Sequence, residues 1–177
     1  MSNILGLDVS TTNVGLCYLN FKGNILLVEH LKLSNLVNLF QKSELIVYFI
    51  KSKNIDTSHY IVMESCLLNY KFGFSNTKTI MSLVKINTLV NYILHKEGYN
   101  VTNMNINHAR KVLGFKRNTD IKDTKKAIDV FLKTKYYDEY RFVTSLGFKK
   151  KDDIFDAFVL AKAFYLEGNK RVQLYKN

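Results

Sequence analysis

The sequence predicts an α/β domain: one mixed five-stranded sheet, three antiparallel strands followed by parallel ones, with helices on both faces. Three observations carry this. Three apolar runs near the N-terminus are separated by turn-sized gaps, as in a meander of antiparallel strands. Segments of helical spacing then alternate with strand-like runs, as in parallel strands joined by crossovers. Acidic residues interrupt two of the apolar runs and open the last helix, so these segments are not only core.

Residues 3–9 (NILGLDV) read as a short buried strand, and 14–20 (VGLCYLN) and 25–33 (ILLVEHLKL) as two more. The latter pair is joined by Phe21-Lys22-Gly23-Asn24, whose Gly-Asn step suits a tight hairpin. Residues 35–53 place Leu36, Leu39, Phe40, Leu45, Ile46, Phe49 and Ile50 mostly at helical spacing, with Ser34 as N-cap. Residues 60–66 (YIVMESC) form a fourth strand, followed by a loop at 69–78 and a helix over 79–96 that stops near Gly98. A fifth strand spans 99–104. Helices at 107–113 and 122–135 flank a basic loop, and a last helix runs from 153 to 167, ending near Gly168.

A chain of 177 residues suits one domain spanning 1–177. Its 26 Lys and Arg against 15 Asp and Glu give a net charge of +11. So basic a domain points to a polyanion, nucleic acid first; charge that only maintains solubility is the plainer alternative. Two cysteines, Cys17 and Cys66, with no CxxC, exclude a disulfide framework or a zinc site; both read as buried free thiols in a reducing compartment, the cytoplasm. His30, His59, His95 and His108 are scattered and suggest no metal cluster. The N-terminus lacks a signal-peptide layout, and no apolar stretch approaches the ~20 residues that cross a bilayer, so no membrane association is expected.

Asp8 ends the run ILGLD and Glu64 lies within IVMESC. A carboxylate buried in an apolar strand needs a cation or hydrogen-bond donors. Either residue alone is equally well a strand-end group bonded to nearby backbone. The segment Asp152-Asp153-Ile154-Phe155-Asp156-Ala157-Phe158 changes the balance. An N-cap and the helix dipole account for the first acids, but not for Asp156, one turn in among apolar residues. By spacing, Asp153 (i, i+3) and Asp152 (i, i+4) are both possible partners of Asp156 on one helix face. Asp152, directly after three lysines, is the natural N-cap. Carboxylates from two strands and the last helix can meet at one end of the sheet. Two Mg2+ or Mn2+ ions held there about 3.5–4 Å apart suit in-line attack of water on a phosphodiester.

These residues resemble the RuvC family of Holliday junction resolvases, which has an RNase H-like fold. The family's first strand reads like LGIDPG, matched by Leu5-Gly6-Leu7-Asp8-Val9-Ser10, and Gly15 starts the second strand as expected. Its second acid sits in a strand like Val62-Met63-Glu64. Its last helix opens DxxDALAIA, matched by Asp153 through Ala161. The likeness spans about residues 3–165 and departs at Val9-Ser10. The resemblance implies Asp8, Glu64, Asp153 and Asp156 as catalytic metal ligands, with two Mg2+ or Mn2+ ions per active site. It also implies a basic residue at the start of the helix before the last acids, best matched by Lys125, with Lys122 and Lys126 close by. Branched DNA, the four-way junction, is the implied substrate, cut by paired nicks. The implied branch-point loop is Asn69–Asn76, where Tyr70, Phe72 and Phe74 would stack on bases. The alternative is that some of these rings tuck into the core.

Lys116-Arg117 and Lys149-Lys150-Lys151 are basic clusters suited to phosphate tracking, or to plain solvation. The 79–96 helix carries a wide apolar stripe that could pack on the sheet and also on a second copy, giving a homodimer. Rival readings are another nuclease of this fold acting on RNA/DNA hybrid or structured RNA, a non-catalytic DNA-binding module, and an actin-like or sugar-kinase ATPase. The last needs two such domains, and the DxxDA opening is foreign to it.

Overall fold

The computed structural model describes residues 2–33, 38–65, 77–116, 123–149 and 151–174, with backbone alone at 170–174. Strands β1 (Ile4–Val9), β2 (Asn13–Leu19) and β3 (Ile25–Lys32) form an antiparallel meander. Helix α1 (Leu39–Ser52) leads to β4 (Tyr60–Glu64), and α2 (Thr77–Lys96) leads to β5 (Asn100–Met104). Helices α3 (Ile106–Val112), α4 (Thr124–Lys135), α5 (Tyr137–Ser145) and α6 (Lys151–Leu174) complete the described chain. The sheet order is β3-β2-β1-β4-β5, with β4 parallel to both β1 and β5. This is the mixed five-stranded sheet read from the sequence.

Side-chain alternation along the strands divides the core into two layers. Leu5, Leu7, Val9, Val14, Leu16, Ile61 and Met63 pack under α1 and α2 against Ile46, Ile50, Ile86, Val90 and Leu94. Ile4, Cys17, Leu19 and Val62 face the other way, against α3, α4, α5 and above all α6, whose Ile154 to Ala163 stretch is buried apart from Asp156 and Lys162. Full burial of a Leu or Ile contributes about 1.5–3 kcal/mol, and each strand contributes to both layers. Helices cover both faces, as expected.

Helix α6 lies directly on β1 and β2. A Cβ on Gly6 would stand 2.0 Å from the Ala157 carbonyl oxygen, and one on Gly15 would stand 2.0 Å from that of Asp153. The two glycines thus let the helix backbone touch the strands. Asn105 caps α3 by accepting from the Asn107 and His108 amides, and Asp123 caps α4 by accepting from those of Lys125 and Lys126. Such caps contribute about 1 kcal/mol each.

Several boundaries differ from the sequence reading. Helix α1 starts at Leu39 with Asn38 as its cap, accepting from the Phe40 amide, rather than after Ser34, which lies outside the described residues. Helix α5 has no counterpart in the reading: it is short, separated from α4 by Tyr136 alone, and buries only Val143 fully. Helix α6 starts at Lys151, so Asp152 is in its first turn and is not the N-cap. The helix also passes through Gly168 without stopping. Gly98 and Gly114, just past the ends of α2 and α3, take the left-handed conformation (φ 87° at each), and Gly168 does not; an interior glycine costs about 1 kcal/mol, which a packed helix tolerates. Among the described residues no helix is long and apolar enough to cross a membrane.

Candidate active site

The sheet register builds the site. Asp8 pairs with Gly15, and Gly15 pairs with His30. Glu64 lies one residue beyond the Leu7–Met63 pair, so it stands beside Asp8 at the carboxyl ends of two parallel strands. His30, Gly15, Asp8 and Glu64 therefore form one row across four strands, and period-2 alternation turns that row toward α6. The first turn of α6 sits on Gly15 through the Asp153 backbone. This brings Asp153 and Asp156 to the same edge.

Gathering these acids is electrostatically costly. Burial pushes the Asp8 carboxyl well above its ordinary range, and repulsion from Asp156, Glu64 and Asp153 adds to the shift. Asp8 and Glu64 share a side-chain hydrogen bond. Glu64 is raised by burial and by Asp156, with Arg110 opposing. Asp156 is raised by burial, again against Arg110. Arg110 of α3 donates from Nη2 to Asp156 Oδ1 at 2.8 Å, its side chain 14% exposed, while its Nε is buried without a hydrogen-bond partner among the described residues. On the opposite side, His30 Nε2 lies 3.3 Å from Asp153 Oδ2.

The structure thus brings Asp8, Glu64, Asp153 and Asp156 together and leaves Asp152 outside. Asp152 is exposed and pairs with Lys125 Nζ at 3.3 Å. Lys125 stands with Arg110 and Asp156 around a cleft between α3, α4 and α6. Among the described residues no three acidic, His or Cys side chains stand in a ready ligating arrangement. Asp153 and Asp156 are turned to His30 and Arg110, and Asp8 and Glu64 to each other. Neither His30 nor Arg110 was singled out in the sequence. A signal for His30 exists only once the β2–β3 register is known. None marks Arg110 among so many basic residues.

The basic residues divide. Lys116 is exposed and borders a groove with Asn107, Arg110, Lys111 and Thr124. Lys126 and Lys149 are exposed. Lys151 is drawn inward to Asp129 (3.1 Å) and the Tyr140 hydroxyl (3.3 Å), and lies over the Phe155 ring. Tyr70, Phe72, Phe74, Arg117, Lys122, Lys150 and the second cysteine, Cys66, lie outside the described residues. On α2, Met81 and Tyr92 are exposed, Leu89 and Ile93 half-buried.

No family model and no curated protein sequence matches the chain. Solved structures do. The yeast mitochondrial Holliday junction resolvase superposes with a TM-score of 0.68 at 14% identity, covering 98% of this chain and 82% of that one. Thermus thermophilus RuvC in complex with Holliday junction substrate gives 0.63 at 12% identity, covering 96% of each. Fowlpox virus resolvase, in complex with its substrate Holliday junction DNA, gives 0.58 at 18% identity, covering 94% and 98%. The chain has the RNase H-like fold of these proteins.

Proposed function

We propose that this chain is a divalent-metal-dependent endonuclease that cuts branched DNA, resolving four-way junctions by paired nicks. The observation that carries this reading is the row of Asp8 and Glu64 under Asp153 and Asp156, set in a fold shared with junction resolvases. The donor set fits Mg2+ or Mn2+: it is oxygen-only, and burial raises Asp8, Glu64 and Asp156, with repulsion among the acids adding at Asp8 and Glu64, in a way that a cation would relieve. Asp8, Glu64, Asp153 and Asp156 would hold two such ions. The chemistry supplied when they are bound is a lowered water pKa and neutralised charge at the leaving 3′ oxygen.

The chain's own groups supply the rest. Asp8 and Glu64, which touch at the carboxyl ends of β1 and β4, would offer carboxylate oxygens to a cation, whose charge would favour the ionised form of both. Arg110 neutralises Asp156 and fixes its rotamer. Lys125, at the rim of the cleft, offers an ammonium to the scissile phosphate and its transition-state charge. Lys116, Lys126, Lys149 and, on the same reading, Arg117, Lys122 and Lys150 track the backbone of the arms. Tyr70, Phe72 and Phe74 stack at the branch point.

A four-way junction is two-fold symmetric, so the active species is a homodimer with two sites related by that symmetry. The exposed Met81 and Tyr92 of α2 supply apolar surface for it. The buried Cys17 thiol fits a reducing compartment such as the cytoplasm. The test is cleavage of four-way junction, flap, linear duplex and RNA/DNA hybrid, each with and without Mg2+. Preferential, Mg2+-dependent cutting of the junction is expected. Preference for the hybrid would move the chain to another nuclease class of this fold.

A further inference from the structure

We infer that His30 is a positioning residue for the metal site: its Nε2–H holds the Asp153 carboxylate in the orientation that ligates. This rests on the nuclease reading and extends it to a strand that carries none of the four acids.

The geometry starts at Gly15. Its missing side chain lets the Asp153 backbone settle onto β2, which fixes the first turn of α6. Gly15 pairs with His30 across β2 and β3, and both face α6. His30 therefore looks past an empty position toward the Asp153 side chain and reaches it, Nε2 to Oδ2, at 3.3 Å. Both side chains are mostly covered, 16% and 26% exposed. An aspartate has two oxygens. Binding one to an N–H donor restricts the carboxylate and leaves the other for a cation. The contact requires the tautomer, or the imidazolium, with a proton on Nε2. Asp156 is braced in the same manner from the opposite side by Arg110 of α3. The two helix acids are thus held from the two flanks of the site, whereas Asp152 is exposed and pairs with Lys125 at the rim of the cleft beside Asp156.

Hydrogen-bond partners of metal-ligating carboxylates orient them, and their loss costs about 10–100-fold in metal affinity or activity. The informative pair of variants is His30→Leu and His30→Gln. They have similar volume, but only Gln keeps an N–H donor. Mn2+ binding to the DNA-free protein is read by calorimetry. The Mg2+ concentration for half-maximal junction cleavage, the junction affinity in Ca2+ and the melting temperature are read beside it.

His30→Leu is expected to weaken Mn2+ binding and raise the Mg2+ midpoint by about 10-fold or more, with junction affinity unchanged. His30→Gln is expected to stay within a few-fold of wild type. Unchanged Mn2+ affinity and Mg2+ midpoint in His30→Leu overturns the inference and leaves the nuclease reading standing. Equal loss in both variants, tracking a lower melting temperature, also overturns it, because His30 is then only a packing residue. A wild-type protein that neither binds Mn2+ nor cuts a junction overturns the inference and the nuclease reading together.

Discussion

Gly15→Ala is the smallest change that tests how the site is built. The added Cβ would lie 2.0 Å from the Asp153 carbonyl oxygen, 2.2 Å from its carbon and 2.7 Å from the Ile154 nitrogen. All three atoms are backbone, so no side-chain rotation relieves the clash. The first turn of α6 must lift by about 1 Å, or β2 must bend away, to restore a tolerable contact. Overpacking of this kind costs about 1–3 kcal/mol, a melting-temperature drop on the order of 3–10 °C for a chain of this size. Asp153 and Asp156 ride on the lifted turn. A misplacement of about 1 Å in a catalytic constellation costs on the order of 100-fold in rate. Cleavage is measured well below the melting transition, so that loss of fold does not masquerade as loss of rate. Gly98→Ala serves as control: it strains a left-handed glycine (φ 87°) with nothing among the described residues within 4 Å of the new Cβ. It should lose about 1 kcal/mol and keep its rate. A folded Gly15→Ala protein that cuts within twofold of wild type would refute the close docking of α6 as the device that places the acids.

Other perturbations follow from the same geometry. Asp8, Glu64 and Asp156 titrate above their ordinary range in the metal-free protein, so at these three positions the folded state binds more protons than the unfolded one. Their contribution is greatest below the unfolded carboxylate range and is lost as pH rises through the folded pKa values. Asp8→Asn fixes the uncharged state, so in EDTA it should melt above wild type at pH 8, with the gap closing toward pH 5, while cleavage in Mg2+ is abolished and junction binding persists; a gap that is absent or reversed removes the electrostatic account. Arg110→Met leaves the Asp156 carboxylate without its partner and should cost about 3 kcal/mol in chemical denaturation at neutral pH; a loss below ~0.5 kcal/mol would mean that the pair is solvent-screened. Asp153→Asn and Asp156→Asn should each lose nearly all cleavage, whereas Asp152→Asn, exposed and paired with exposed Lys125, should keep most of it. The reverse ranking of Asp152 and Asp153 would put the ligand face of α6 one residue away.

The strands and the acids were legible because both leave a local mark. Alternating and continuous apolar runs identify β1 to β5, and a carboxylate inside such a run is costly enough to stand out, as Asp8 and Glu64 do. Asp156 stands out for the same reason on α6. What the sequence left open is whatever depends on tertiary register. Asp152 and Asp153 are both possible by helical spacing, and the sequence tells them apart only through the N-cap reading and the DxxDA resemblance; in the structure the seat of α6 on Gly15 sets Asp153 beside His30. His30 acquires meaning from its pairing with Gly15, and Arg110 from the approach of α3 to α6. The N-cap reading of Asp152 failed because α6 begins at Lys151, before either acid. Helix α5 escaped because a nine-residue element that fully buries a single side chain has almost no periodic signal.

The proposed metal-dependent junction nuclease rests on four carboxylates at one sheet edge. It is tested most directly by mapping cuts on an end-labelled four-way junction. Wild type in Mg2+ should nick two opposing strands at symmetry-related positions. The nicks should vanish in EDTA and in Asp8→Asn. Cleavage that persists in EDTA or in that variant, or that falls equally on linear duplex, would contradict it.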